Sequence, residues 1–164
     1  AGRAGRDATS NADSEMWVQT QHPQHALFAA LKTHDYPGFA SGQLTERAEA
    51  GLPPFTHLAL LRAEARTQDA AQGFLNAAAQ AANDSLPAGE LAEAFSNLTW
   101  YPAVPLTVQR VANIERAQML IESPSRAALQ RVLAACQPML HALRASAEHR
   151  SVVRWAIDVD PLAV

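Results

Sequence analysis

Gly51-Leu52-Pro53-Pro54-Phe55-Thr56-His57-Leu58-Ala59-Leu60-Leu61-Arg62-Ala63-Glu64-Ala65 is the stretch on which the fold turns. A glycine followed by two prolines stops any preceding helix, because proline lacks a backbone donor and bars the residue before it from helical angles. A domain boundary is therefore expected at about residue 52. Directly after it, Thr56–Ala65 reads as an apolar strand.

Working downstream, Thr67–Ala82 is an alanine-rich helix with Phe74 and Leu75 turned inward. Asp84–Glu93 is acidic and reads as a loop. Leu98–Val108 is a strand broken by Pro102 and Pro105, which place it at a sheet edge. Ile114–Ile121 alternates as a third strand. Ser125–Ala147 is a long helix with Leu129, Val132, Leu133, Leu140 and Leu143 on one face. Ser123 as N-cap and Pro124 as first helical residue would open it, and Pro138 should kink or split it. The last strand, Val152–Asp160, sets Val153, Trp155, Ile157 and Val159 on one face. The order β-α-β-β-α-β predicts an α+β fold of ferredoxin-like type, a four-stranded antiparallel sheet with two helices on one face.

Upstream the signals are shorter. Residues 7–15 are polar and turn-forming, and Met16–Thr20 reads as a short strand. His25–Thr33 is a short helix carrying Leu27, Phe28 and Leu31. A second helical stretch runs from Asp35 toward Ala50, loosened by Gly38 and Gly42.

Composition bounds the function. The 164 residues hold one domain plus a fragment, and 35 of them are alanine. A net charge of −3 gives no global pull toward nucleic acid or membrane. Arginine supplies 12 of the 13 basic residues, and Lys32 is the sole lysine. One cysteine, Cys136, rules out an internal disulfide and a cysteine-based zinc site; its apolar helical setting makes it a buried structural thiol. No run of about 18 apolar residues and no signal peptide is visible, so the cytoplasm is the expected location and no membrane partner is expected.

The chain opens on Ala1-Gly2-Arg3-Ala4-Gly5-Arg6. The pattern Gly-Arg-x-Gly-Arg closes motif VI of superfamily 2 helicases. Gly2 and Gly5 let the backbone approach a phosphate, and Arg3 and Arg6 offer charged forks to its oxygens. Arginines delivered from a second lobe to a γ-phosphate stabilise charge in the transition state. The same residues also read as a basic tail that binds nothing, or nucleic acid loosely.

Three more stretches carry a resemblance. Trp17-Val18-Gln19-Thr20-Gln21-His22-Pro23 resembles the segment after motif VI in the PriA family of primosomal helicases. Glu46-Arg47-Ala48-Glu49-Ala50-Gly51-Leu52-Pro53-Pro54-Phe55 is similar to its E-R-x-x-x-G-L-P-P-[YF] joint, and Trp155-Ala156-Ile157-Asp158-Val159-Asp160-Pro161 to its closing V-D-V-D-P. The resemblance implies the last piece of an ATP-dependent 3′-5′ DNA helicase that restarts stalled replication forks. Residues 1–33 would finish the second RecA-like lobe, 34–51 form a helical linker, and 52–164 the C-terminal domain, which resembles ribosomal protein S10. ATP and Mg²⁺ are implied for the intact protein, with Gly2, Arg3, Gly5 and Arg6 at the nucleotide and the two arginines in a catalytic role. Zinc is implied upstream, not in this chain.

The implied partners are branched and single-stranded DNA, the acidic tail of single-strand DNA-binding protein, and other primosome proteins. Arg126 and Gln130 match the tail-binding helix. They lie four apart on one helix face, and an arginine fork suits a terminal carboxylate. Without the resemblance that face reads as solvated surface. Arg110, Arg116 and Arg154 are the expected DNA contacts. They belong to a group of seven arginines facing three glutamates between residues 107 and 154; ordinary surface arginine is the other reading. Tyr101-Pro102 where the family usually has Gly-Pro, Glu115 before Arg116, and a hairpin 107–113 with Arg110 alone depart from the family pattern.

Other constellations are weak. His22 and His25 lack a third metal ligand, and Asp158 and Asp160 end a strand rather than form a catalytic pair. No phosphate loop or Asp-Glu-x-His box is present, so this chain alone is not expected to hydrolyse ATP. Two alternatives stand beside the helicase fragment: a stand-alone DNA- or peptide-binding module, and the tail of another superfamily 2 helicase.

Overall fold

A computed structural model describes residues 17–87 and 89–162. The chain divides into two compact units, up to Thr45 and from Glu46 onward.

The first unit contains α1 (Ala26–Thr33) and most of α2 (Tyr36–Glu49). The ring nitrogen Nδ1 of His25 accepts from the Leu27 amide at 3.2 Å and so caps α1. Asp35 caps α2: its carboxylate accepts from the Gly38 amide at 2.9 Å. A side chain at position 38 would meet that carboxylate, which is why glycine suits the first turn. Gly38 and Gly42 do not loosen the helix, which is continuous to Glu49. Neither helix buries a residue. The expected strand at Met16–Thr20 is not formed in its described part, Trp17–Thr20. A strand needs a neighbour for its backbone groups, and the described residues of this unit supply none.

The second unit opens as α2 ends. Gly51 takes φ +61, the Gly51 amide donates to the Ala48 carbonyl (3.2 Å), and the Leu52 amide donates to that of Arg47 (2.8 Å). This is the paired-bond glycine stop that satisfies the last carbonyls of a helix. Arg47 also donates to the Pro53 carbonyl at 3.0 Å, tying the Pro-Pro joint to the helix it terminates.

Then come β1 (His57–Ala65), α3 (Gln68–Ser85), α4 (Ala92–Ser96), β2 (Thr99–Trp100), β3 (Val104–Val111), β4 (Ile114–Ser123), α5 (Arg126–Ala145) and β5 (Val152–Val159). The antiparallel sheet runs β2-β4-β1-β5, with β3 also paired to β4. Counting β2 and β3 as one proline-broken edge strand, this is the expected α+β, ferredoxin-like order. Ala59, Leu61, Ala63 and Ala65 of β1 and Ala117, Met119 and Ile121 of β4 share one face. They pack against Phe74, Leu75 and Ala78 of α3 and Leu129, Val132 and Leu140 of α5. Each large side chain fully buried there contributes about 1.5–3 kcal/mol. The alanines of β1 and α3 let helix and sheet approach closely.

In the second unit four further expectations need correction. Residues 84–93 are not simply a loop: Asp84 and Ser85 finish α3, Gly89–Leu91 form a 3-10 turn, and α4 follows with Ala94 buried. Helix α5 is not split at Pro138. The carbonyl that proline leaves unpaired belongs to Ala134, and both residues are exposed to water, while Leu133, Cys136 and Leu140 hold the opposite face in the core. Ser125, not Ser123, is the N-cap: its hydroxyl accepts from the Ala128 amide at 3.2 Å. Finally, Val153 is 53% exposed while Val152 is fully buried. An extra residue on β5 opposite Ala65 makes a bulge that shifts the alternation at that end of the strand.

Candidate nucleic-acid and peptide interface

The start of α5 is built by two serines. Ser123, buried as the last residue of β4, accepts from the Ser125 amide at 3.2 Å; Ser125 then caps the helix. Arg126 is therefore the first helical residue. Ala128, Leu129, Val132 and Leu133 turn inward, so Arg126 and Gln130 lie on the outer stripe, both exposed. The structure thus keeps the predicted pair on one accessible face.

Sequence reasoning did not find the partner of Arg126. Asp160 reaches it with a carboxylate oxygen (Oδ2) 3.2 Å from Nη2. Asp160 follows β5 in the left-handed region at φ +52, and its amide donates to the Leu58 carbonyl at 2.9 Å. The backbone is anchored while the carboxylate turns off the strand toward α5. The closing Ile157-Asp158-Val159-Asp160-Pro161 run carries a signal for this, since an aspartate tolerates the left-handed region better than most residues.

A second constellation lies on the sheet face away from the helices. Glu64 is opposite Arg116 on β4 and opposite Arg154 on β5, which puts one acid between two bases in a single row. Arg154 donates to Glu64 at 2.8 Å, and Arg116 approaches the same oxygen at 3.8 Å. One row away, Arg62 pairs with Asp158 at 3.1 Å. Two of the three predicted DNA contacts are thus brought together. The third is not. Arg110 sits near the tip of the β3–β4 hairpin, where it meets Glu115 at 3.5 Å and Asn113 at 2.9 Å. Glu115 pairs with Ala65, in the row that continues the core face, so Arg110 and Arg116 belong to opposite sides.

That hairpin closes through Ala112 and Asn113, both at positive φ, the backbone a two-residue turn between twisted strands requires. Its β3 side carries extra residues between Pro105 and Arg110, Val108 among them, and Val108 stands in solvent. The basic surplus seen in the sequence is also partly met by acids from outside its window: Glu64 answers Arg116 and Arg154, and Asp160 answers Arg126.

Among the described residues, two groups titrate away from their ordinary range. A hydrogen bond from the Tyr101 hydroxyl to Glu122 at 2.7 Å, helped by the charge of that carboxylate, raises the phenol. Burial pushes the Cys136 thiol up to about 11, which keeps it protonated and unreactive at neutral pH. Among the described residues, no three His, Cys, Asp or Glu side chains gather as a metal site, and no helix is long and apolar enough to cross a membrane. Gly2, Arg3, Gly5 and Arg6 lie outside the described residues.

Comparison with known proteins adds the family. Residues 48–162 match the model of the primosomal protein N C-terminal domain. The chain is 35% identical to the replication restart protein PriA of Haemophilus influenzae over 161 residues, which is 98% of this chain and 20% of that protein. It is 30% identical to the PriA of a Synechocystis species over 168 aligned positions, covering all of this chain and 17% of the relative. The chain thus spans about a fifth of the length of these relatives. A dimeric ferredoxin-like protein from an uncultured marine organism aligns with 64% of this chain and 85% of its own, at 13% identity and a TM-score of 0.35. The fold assignment rests on the strand order, not on that likeness. The reading as the tail of some other superfamily 2 helicase gives way, and the chain belongs to the PriA primosomal protein N C-terminal domain family.

Proposed function

We propose that this chain is the C-terminal part of an ATP-dependent 3′-5′ DNA helicase that restarts stalled replication forks in the cytoplasm. Its second unit meets branched or single-stranded DNA and the acidic tail of single-strand DNA-binding protein, alongside other primosome proteins. In the intact protein Arg3 and Arg6, with Gly2 and Gly5 beside them in the sequence, complete an ATP–Mg²⁺ site supplied by another lobe; zinc belongs to a different segment. Turnover needs that other lobe, because this chain has no phosphate loop. The lack of buried residues in α1 supports its being the end of a larger lobe, with the equally exposed α2 as the linker that follows.

The observation that carries the partner reading is the exposed Arg126–Gln130 face at the start of α5. An arginine fork and an amide, one helical turn apart, can hold a terminal carboxylate and the adjoining peptide groups. DNA contact is assigned to Arg116 and Arg154 on the sheet face away from the helices, with Arg110 on the hairpin as a separate contact. Titration of the chain with an acidic tail peptide tests the first assignment: Arg126→Ala should weaken binding by about 1–3 kcal/mol, the range of a hydrogen bond to a charged group. Undiminished affinity would make that helix face mere solvated surface.

A further inference from the structure

We propose that Asp160 is the affinity-setting residue of the Arg126 site: its carboxylate occupies the guanidinium that an incoming carboxylate must win. This inference rests on the acidic-tail reading of that helix face. The geometry carries it. Asp160 is placed by its backbone, through the Leu58 hydrogen bond and the left-handed turn, so its carboxylate is presented whether or not a ligand is near. Arg126 is the flexible member, on an exposed helix start, with 66% of its side chain open to solvent; 49% of Asp160 is open. A ligand carboxylate can therefore reach Arg126, but only by displacing or sharing with Asp160.

The consequence is a moderated affinity. The resident pair neutralises the site, so unrelated anions gain little there. A ligand that also engages Gln130 with its peptide groups gains a contact that Asp160 does not offer to that amide. An exposed ion pair is worth about 0.2–1 kcal/mol, which sets the competition at roughly one and a half- to fivefold in affinity.

The test is calorimetric titration of the full chain with a synthetic acidic peptide bearing a free C-terminal carboxylate, and with its amidated form. Asp160→Asn keeps the side-chain shape, and asparagine tolerates the left-handed backbone. It should tighten the free-acid peptide by roughly one and a half- to fivefold and make its binding fall more steeply with added salt. The amidated peptide should gain less. If Arg126→Ala weakens binding while Asp160→Asn leaves it unchanged or weaker, Asp160 does not compete, and this inference alone is overturned. If Arg126→Ala has no effect, the tail site itself is lost and the inference with it.

Discussion

Glu64→Gln is the substitution that probes the arginine-bearing sheet face most sharply. In the native protein one carboxylate holds Arg154 at 2.8 Å and Arg116 at 3.8 Å, so two guanidinium groups carry a net charge of one. Removing the acid leaves both arginines in place and unneutralised. The folding cost is small, because Arg154 is 70% exposed and the pairs are screened; about 0.5–1.5 kcal/mol for two such pairs is the expected scale. The gain appears in DNA binding. One more phosphate neutralised steepens the dependence of log affinity on log salt by about 0.9 for duplex and about 0.7 for single-stranded DNA. Fluorescence anisotropy with a labelled fork, repeated across a salt series, reads that slope directly. A tighter complex with a steeper slope is expected, and Arg116→Ala combined with Glu64→Gln should return the slope toward the native value. An unchanged slope would refute the placement of DNA on this face, and weaker binding would show that Glu64 positions the arginines instead of competing for them.

Other outcomes follow from the core. Pro138→Ala should stabilise the second unit by about 1–3 kcal/mol in urea unfolding, because it restores an amide for the Ala134 carbonyl in a helix that is already continuous. The Cys136 thiol should resist a thiol reagent in the folded chain at neutral pH. Its ordinary value of 9.0 rises to about 11 on folding, so the unfolded chain ionises first. Stability should therefore decline as pH climbs from about 9 toward 11, and Cys136→Ala should remove that part of the decline.

The sheet and its two main helices were legible because each element announces itself locally. Phe74 and Leu75 mark the inward face of α3, Thr67 caps it, and the alternation of Ala117, Met119 and Ile121 marks β4. The misses are tertiary. Pro138 breaks isolated helices, but its solvent-facing position and the packed opposite face outweigh that preference. Val153 continues an apolar alternation, but a bulge against Ala65 turns it outward. Ala92–Ser96 is too short for a periodic signal and is fixed by burying Ala94. At the candidate sites, Arg126 and Gln130 could be placed together from their spacing alone. Their relation to Asp160, and that of Glu64 to Arg116 and Arg154, depends on strand register between segments far apart in the chain.

The proposed role of this chain is to complete a motor whose nucleotide cleft lies in another lobe. The most direct measurement is DNA-stimulated ATP hydrolysis by the intact protein carrying Arg6→Ala, with DNA affinity measured in parallel. Turnover should be abolished while DNA affinity stays largely intact. Hydrolysis at the native rate would contradict that role.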